Sequence, residues 1–144
     1  MQITSQRLSD IVAAIRAESG EDAKLINKRR HSRLEVEAKV EIAAVSKEIV
    51  PRRYSALTRD IAYGGIGLFQ SVPASSGQQI VVRLPLGKGQ IILVRSRIAH
   101  CRVLAYSLFG VGVEFEDEVG LDFLEQLALA SEEELKRIRQ SILA

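Results

Sequence analysis

The chain has few of the residues from which covalent or redox devices are made. It contains one cysteine, Cys101, so no internal disulfide can form, and a reducing compartment is expected. Cys101 lies in an apolar strand with no acid–base constellation around it and reads as a small core residue. His100 has no second His or Cys at ligand spacing, which argues against a metal site and for an ordinary strand histidine. No nucleophile–base pair and no phosphate-binding glycine loop occurs, so an enzyme is not expected. Tryptophan is absent and aromatics make up 5% of the residues. That is thin material for stacking bases, and it argues against a nucleic-acid-binding barrel built on Arg52, Arg53 and Arg59. No apolar run approaches the ~20 residues needed to span a bilayer, so no membrane insertion is expected. Residues 1–7, MQITSQR, lack the charged-then-apolar plan of a signal peptide, which leaves a cytoplasmic location as the expectation. There are no internal repeats or low-complexity segments.

What remains is a chain of 144 residues with the balance of one globular domain, 47% apolar and 26% charged. Its net charge of +2 hides an uneven distribution. From Lys28 to Arg59 there are nine basic and four acidic residues; from Glu114 to Glu134 there are nine acidic residues and no Lys or Arg. The middle of the chain suits an anionic partner and the C-terminal part does not.

The hydrophobic period divides the chain into three parts: residues 1–27, a helical extension and linker; 28–118, a β-rich domain; and 119–144, a helical segment. Leu8, Ile11, Val12 and Ile15 recur at helical spacing, with Thr4 or Ser5 available as a cap and Gly20 at the expected end. This single apolar stripe needs a surface to cover it, either the barrel or a second copy of the chain. Period two begins with Leu34, Val36, Ala38, Val40 and Ile42. Further strands are predicted from Ile49 to Thr58 (Pro51 marking an edge or bulge), Ile66 to Gln70, Gln79 to Leu86, Gln90 to Leu104 and Leu108 to Phe115. About six short strands with glycine-marked turns, such as Leu86-Gly87-Lys88-Gly89, predict an antiparallel barrel or sandwich. The acidic residues from Glu114 to Glu118 read as a solvated turn, or else as a patch that attracts the basic segment. Near the end, Ser131 with Glu134 forms a capping-box pattern, followed by the apolar face Leu135, Ile138 and Ile142.

Two segments carry specific chemistry. Lys28-Arg29-Arg30-His31-Ser32-Arg33 concentrates guanidinium groups, which suit phosphate oxygens and the O6/N7 edge of guanine. Asp60-Ile61-Ala62-Tyr63-Gly64-Gly65 offers a carboxylate able to accept from guanine N1 and N2, next to glycines that permit positive φ and close backbone approach. Taken alone, the first is a solvated basic run and the second a turn. Their conjunction just ahead of and within a β-rich stretch is more specific. Tyr63 is placed either to line the pocket or to pack.

Here the sequence resembles the PilZ domain family of bacterial cyclic di-GMP receptors. The family pattern, Arg-x-x-x-Arg before the first strand and Asp/Asn-x-Ser-x-x-Gly after the second, matches Arg29 to Arg33 and Asp60-x-Ala62-x-x-Gly65. Ile66-Gly67-Leu68 and Gly110-Val111-Gly112-Val113-Glu114-Phe115 also fit the family's strand endings. The resemblance implies a mainly β fold: a six-stranded antiparallel PilZ-type barrel with an N-terminal helix and one or more C-terminal helices. It implies that Arg29 and Arg33 grip phosphates and guanine, with Arg30 an added contact and Lys28 tuning how many ligands stack. Asp60 would read a guanine edge, with Ala62, Gly64 and Gly65 completing the site. The family serine is Ala62 here, a hydroxyl contact worth about 0.5–1.5 kcal/mol. An aromatic found in many members is replaced by His100-Cys101. The expected function is a cyclic di-GMP receptor or adaptor with no other cofactor, whose arginine-bearing loop becomes ordered on binding and which relays the signal to an unknown effector protein. The alternative is a PilZ-like interaction adaptor with lost or weakened nucleotide binding, using the stripe of helix 1–27 for partner contacts or a homo-oligomer.

Overall fold

The computed structural model describes residues 1–19, 25–26, 35–36, 39–45, 52–123 and 136–142. One helix, α1 (Ser5–Ser19), precedes eight strands: β1 (Leu25–Ile26), β2 (Glu35–Val36), β3 (Lys39–Ala44), β4 (Arg52–Ala62), β5 (Gly65–Gln70), β6 (Gln79–Gly87), β7 (Gln90–Ala105) and β8 (Leu108–Val119). β1 and β2 pair as a separate antiparallel ribbon, and the other six close a barrel in the order β3-β4-β5-β8-β7-β6. The alternating run predicted from Leu34 to Ile42 is thus split. Val36 belongs to the ribbon, whereas Val40 and Ile42 belong to the barrel. Residues 136–142 are helical, with Ile138 and Ile142 exposed. The capping pattern at Ser131 and Glu134, the helix end at Gly20 and the edge residue Pro51 fall outside the described residues. No helix among the described residues is long and apolar enough to cross a membrane.

Alternation explains the barrel interior. Val40 and Ile42, Ala56, Ile66 and Leu68, Ile80, Val82 and Leu84, Ile92, Val94 and Ile98, and Val111, Val113 and Phe115 form one buried cluster. Along each strand these alternate with residues of the other face, as the two-residue side-chain period requires, with the buried Ser96 taking the inward position between Val94 and Ile98. At about 1.5–3 kcal/mol per buried large aliphatic side chain, this cluster is the main source of stability.

Leu8, Ile11, Val12 and Ile15 of α1 belong to the same cluster, and Ile11 is fully buried. The helix packs along β6. The stripe considered as a surface for partners or for a second copy is therefore covered by the chain's own barrel, which removes the basis for a homo-oligomer through helix 1–27. Thr4 supplies the cap: its hydroxyl oxygen accepts from the Arg7 backbone N–H at 3.1 Å, and its carbonyl accepts from Leu8 at 2.9 Å. Ser5 instead turns its hydroxyl toward the Tyr63 hydroxyl at 3.4 Å. The Ile3 N–H donates to the Tyr63 carbonyl at 2.7 Å, fastening the chain ahead of α1 to the β4–β5 turn.

The acidic residues predicted as a turn lie on β8 instead. Their carboxylates face cations from neighbouring elements: Glu114 faces Arg97 at 2.8 Å, Asp117 faces Arg95 at 2.7 Å, and Glu118 faces Arg7 at 3.5 Å. Cross-strand register decides this: Arg97 pairs with Glu114 and Arg95 with Asp117 on the outer face.

Candidate functional site

Asp60 reaches the outside of the barrel because of a bulge. Along β4, Ala56 and Thr58 are buried, and in a regular strand Asp60 would follow them inward. The register with β5 shifts between Thr58↔Leu68 and Asp60↔Gly67, so Arg59 is an extra residue without a partner across the ladder. After the shift the phase is reversed. Ile61 enters the core, and Asp60 and Ala62 share the outer face with Arg59. Asp60 therefore lies within a strand, not in the turn expected from the sequence; the turn is Tyr63-Gly64.

The same happens on the far side of the site. β7 carries Ile92, Val94 and Ile98 inward, then shifts register against β8 between Ile98 and His100. Ala99 is the extra residue, Cys101 packs against the core, and His100 turns outward.

Two transverse rows result. One runs Asp60, Gly67, Gly112, His100 across β4, β5, β8 and β7. The next runs Ala62, Gly65, Glu114, Arg97. With strands about 4.8 Å apart, each row spans roughly 14 Å. All of these residues but Arg97, with Arg59 and Ala99, line an outer-face cleft of about 340 Å³, within the usual range for a small-molecule site.

Glycines make the floor. A Cβ on Gly67 would stand 2.5 Å from Asp60 Oδ1 and 2.6 Å from Arg59 Nη2. A Cβ on Gly112 would overlap His100 Nε2 and lie 2.6 Å from Cε1. Both flanking side chains thus lie down onto bare backbone. Gly65 serves the closure of the sheet: a Cβ there would run into the Val113 carbonyl oxygen, so its absence lets β5 and β8 come together. Neither Gly64 nor Gly65 adopts positive φ; among the described residues that conformation belongs to Gly77, Gly87 and Gly89, with Lys88 and Ser107. The conformational freedom expected of the Gly64-Gly65 pair is unused, and the steric freedom of Gly65 is what the fold requires.

Charge in the cleft is arranged in pairs. Asp60 is buried, and its Oδ2 accepts from Arg59 Nε at 3.4 Å. Arg97 Nη2 donates to Glu114 Oε2 at 2.8 Å. That hydrogen bond, and then the charge of the same carboxylate, raise the Arg97 pKa above its ordinary value, so Arg97 stays cationic throughout the working range. A second outer-face cleft of about 320 Å³, lined by Glu41, Arg53, Arg83 and Leu93 among others, lies on the β3–β6 side, away from these rows.

Of the residues singled out from sequence, Asp60, Ala62, Gly64 and Gly65 come together in the cleft. Lys28, Arg29, Arg30 and Arg33 fall outside the described residues; the flanking β1 and β2 are described, and β2 lies alongside β4, the strand of Asp60. Arg59, Gly67, His100, Gly112, Arg97 and Glu114 were not foreseen as parts of this site. The alternate glycines 65/67 and 110/112 were the available signal, since glycine at every second strand position leaves one face bare. Tyr63 packs against the core and faces Ser5 of α1, taking the structural role of the two considered.

A closed antiparallel barrel thus carries a glycine-floored, charge-lined cleft on its outer wall. The PilZ domain family model matches residues 27–138, and the chain belongs to that family, whose domains bind ligands or act as adaptors. No curated protein matches the chain. Among solved structures, the K. pneumonia MrkH–c-di-GMP complex is similar at 15% identity and a TM-score of 0.48, over 81% of this chain and 56% of that one. The Bacillus subtilis inhibitor of motility, MotI/DgrA, is similar at 13% identity and a TM-score of 0.45, over 78% of this chain and 53% of that one. The chain thus spans little more than half the length of either.

Proposed function

We propose that this domain is a receptor for cyclic di-GMP, with the ligand seated against the Arg59–Asp60 pair and the His100 ring that lie over Gly67 and Gly112. The observation that carries this reading is the bulge that brings Asp60 to the outer face, where Gly67 leaves room for its side chain, in a chain with an Arg-x-x-x-Arg segment just ahead of the strand next to β4. Asp60 accepts from guanine N1–H and N2–H. Arg29 and Arg33, assisted by Arg30 and Lys28, hold the phosphates and close over the ligand, and the order gained by that segment is the signal an effector protein reads. Charge-assisted contacts of this kind contribute about 1.5–3 kcal/mol each, so losing two arginines costs at least ~100-fold in affinity. The test is calorimetric titration of cyclic di-GMP into the wild type and Arg29→Ala/Arg33→Ala at low ionic strength. Binding by the wild type and its loss in the double variant are expected; a wild type that takes up no nucleotide refutes the reading.

Ala62 favours a second reading, an adaptor whose nucleotide affinity has been reduced and which works through protein contacts. It predicts partner binding that is indifferent to the nucleotide.

A further inference from the structure

Arg59 stands beside Asp60 in the fixed wall of the cleft, and the sequence pattern of the site gives it no part. As the extra residue of the β4 bulge, it projects from the same face as its neighbour, which consecutive residues of a regular strand do not do. Its side chain is 28% exposed and that of Asp60 is 8% exposed, so the pair is set into the wall. Both lie over the same bare Cα: the site of a Gly67 Cβ is 2.5 Å from Asp60 Oδ1, 2.6 Å from Arg59 Nη2 and 2.9 Å from Arg59 Nε. The wall therefore presents a carboxylate acceptor and a guanidinium donor side by side over one glycine. A carboxylate has about four acceptor positions, so the bond from Arg59 does not by itself exhaust it.

Guanine carries the complementary order on one edge: the O6 acceptor next to the N1–H and N2–H donors. Adenine carries the reverse, an N6 amino donor next to the N1 acceptor. It would set donor against donor at Arg59 and acceptor against acceptor at Asp60. We propose that Arg59 is a specificity-determining contact of this site, donating to guanine O6 while Asp60 accepts from N1–H and N2–H, so that the bulge pair selects guanine over adenine. This inference rests on the reading of the cleft as a cyclic dinucleotide site.

The test is calorimetric titration of the full chain with cyclic di-GMP, cyclic di-IMP (which keeps O6 and N1–H but lacks the N2 amino group) and cyclic di-AMP. The proteins are the wild type, Arg59→Ala, Arg59→Gln, Asp60→Ala and the double variant Arg59→Ala/Asp60→Ala, each checked for cooperative melting. The wild type should prefer cyclic di-GMP over cyclic di-AMP by roughly 100-fold or more. Arg59→Ala should lose about tenfold toward both O6-bearing ligands and little toward cyclic di-AMP, with Arg59→Gln, which keeps an N–H donor, in between. In the Asp60→Ala background, Arg59→Ala should still weaken cyclic di-IMP several-fold, because the O6 contact does not act through Asp60. Unchanged affinity and selectivity in Arg59→Ala would overturn the proposal. An equal loss toward all three ligands would also do so, because it marks simple attraction of phosphate. So would the absence of any effect in the Asp60→Ala background, which marks Arg59 as a support for that carboxylate. If the wild type binds none of the ligands, the receptor reading falls and this inference falls with it; binding by the wild type with an indifferent Arg59 removes the inference alone.

Discussion

Two glycines facing the same cleft should respond oppositely to the same methyl group. At Gly65 the added Cβ meets backbone: it overlaps the Val113 carbonyl oxygen and lies 3.3 Å from Val113 C and 3.5 Å from Glu114 Cα. Nothing there can rotate away, so β5 and β8 must part along a ladder that includes Gly65↔Glu114 and Ile66↔Val113. Losing two ladder hydrogen bonds at about 1 kcal/mol each, with some packing around Ile66, gives roughly 2–3 kcal/mol. At about 4 °C per kcal/mol for a domain of this size, Gly65→Ala should melt about 8–12 °C lower. At Gly112 the atoms nearest to the methyl all belong to the His100 ring, which is exposed and can swing aside. Gly112→Ala should therefore melt within about 2 °C of the wild type. The ring it displaces moves up into the cleft, however. A base of about ten heavy atoms held off the wall by that ring forfeits about 0.1–0.2 kcal/mol per atom pair, or 1–2 kcal/mol in all, which is about tenfold in affinity for cyclic di-GMP. Thermal unfolding by circular dichroism and calorimetric titration check the two halves. Equal melting temperatures for the two variants would refute the steric reading of Gly65. Wild-type affinity in Gly112→Ala would refute the placing of a base over the His100 ring.

Other expectations follow from the same geometry. Ala62→Ser should raise affinity for cyclic di-GMP about two- to tenfold in the same titration, because Ala62 lies on the outer face in the row next to Asp60; no change would show that this position does not touch the ligand. Ile11→Ala should destabilise the fold by about 2–5 kcal/mol in denaturant unfolding, since that side chain is fully buried in the barrel's own cluster. A near-neutral result would detach α1 from the core. Arg97→Gln should weaken binding about threefold or more at low salt and less at high salt, because it leaves the Glu114 carboxylate uncompensated beside an anionic ligand; titrations at two ionic strengths read this directly.

The barrel was legible in the sequence because its interior needs apolar residues at every second position, and runs such as Gln79 to Leu86 supply them with clear breaks between. The helix was legible for the same reason, but its partner was not. A single stripe does not say what covers it, and only the closed core shows Ile11 and Ile15 inside. The site was legible as residue types and not as geometry. Asp60 was read in a turn because bulges leave no mark in composition, and the extra residues Arg59 and Ala99 look like any other strand residues. The acidic stretch of β8 was misread because carboxylates look solvated until the register sets Arg95 and Arg97 opposite them.

The β4 bulge also shows how a closed barrel can acquire chemistry. Taking Arg59 out of the ladder leaves Thr58 opposite Leu68, Asp60 opposite Gly67 and Ile61 opposite Ile66, a regular strand with every core residue in its present place. Arg59 is thus an insertion that adds a charged group to the wall while displacing none of the apolar side chains around it. In a barrel whose six strands are all paired on both sides, lengthening a loop adds function only at the rims. A one-residue bulge adds it in the middle of the wall, and it can appear or vanish in a single event without the core having to be redesigned.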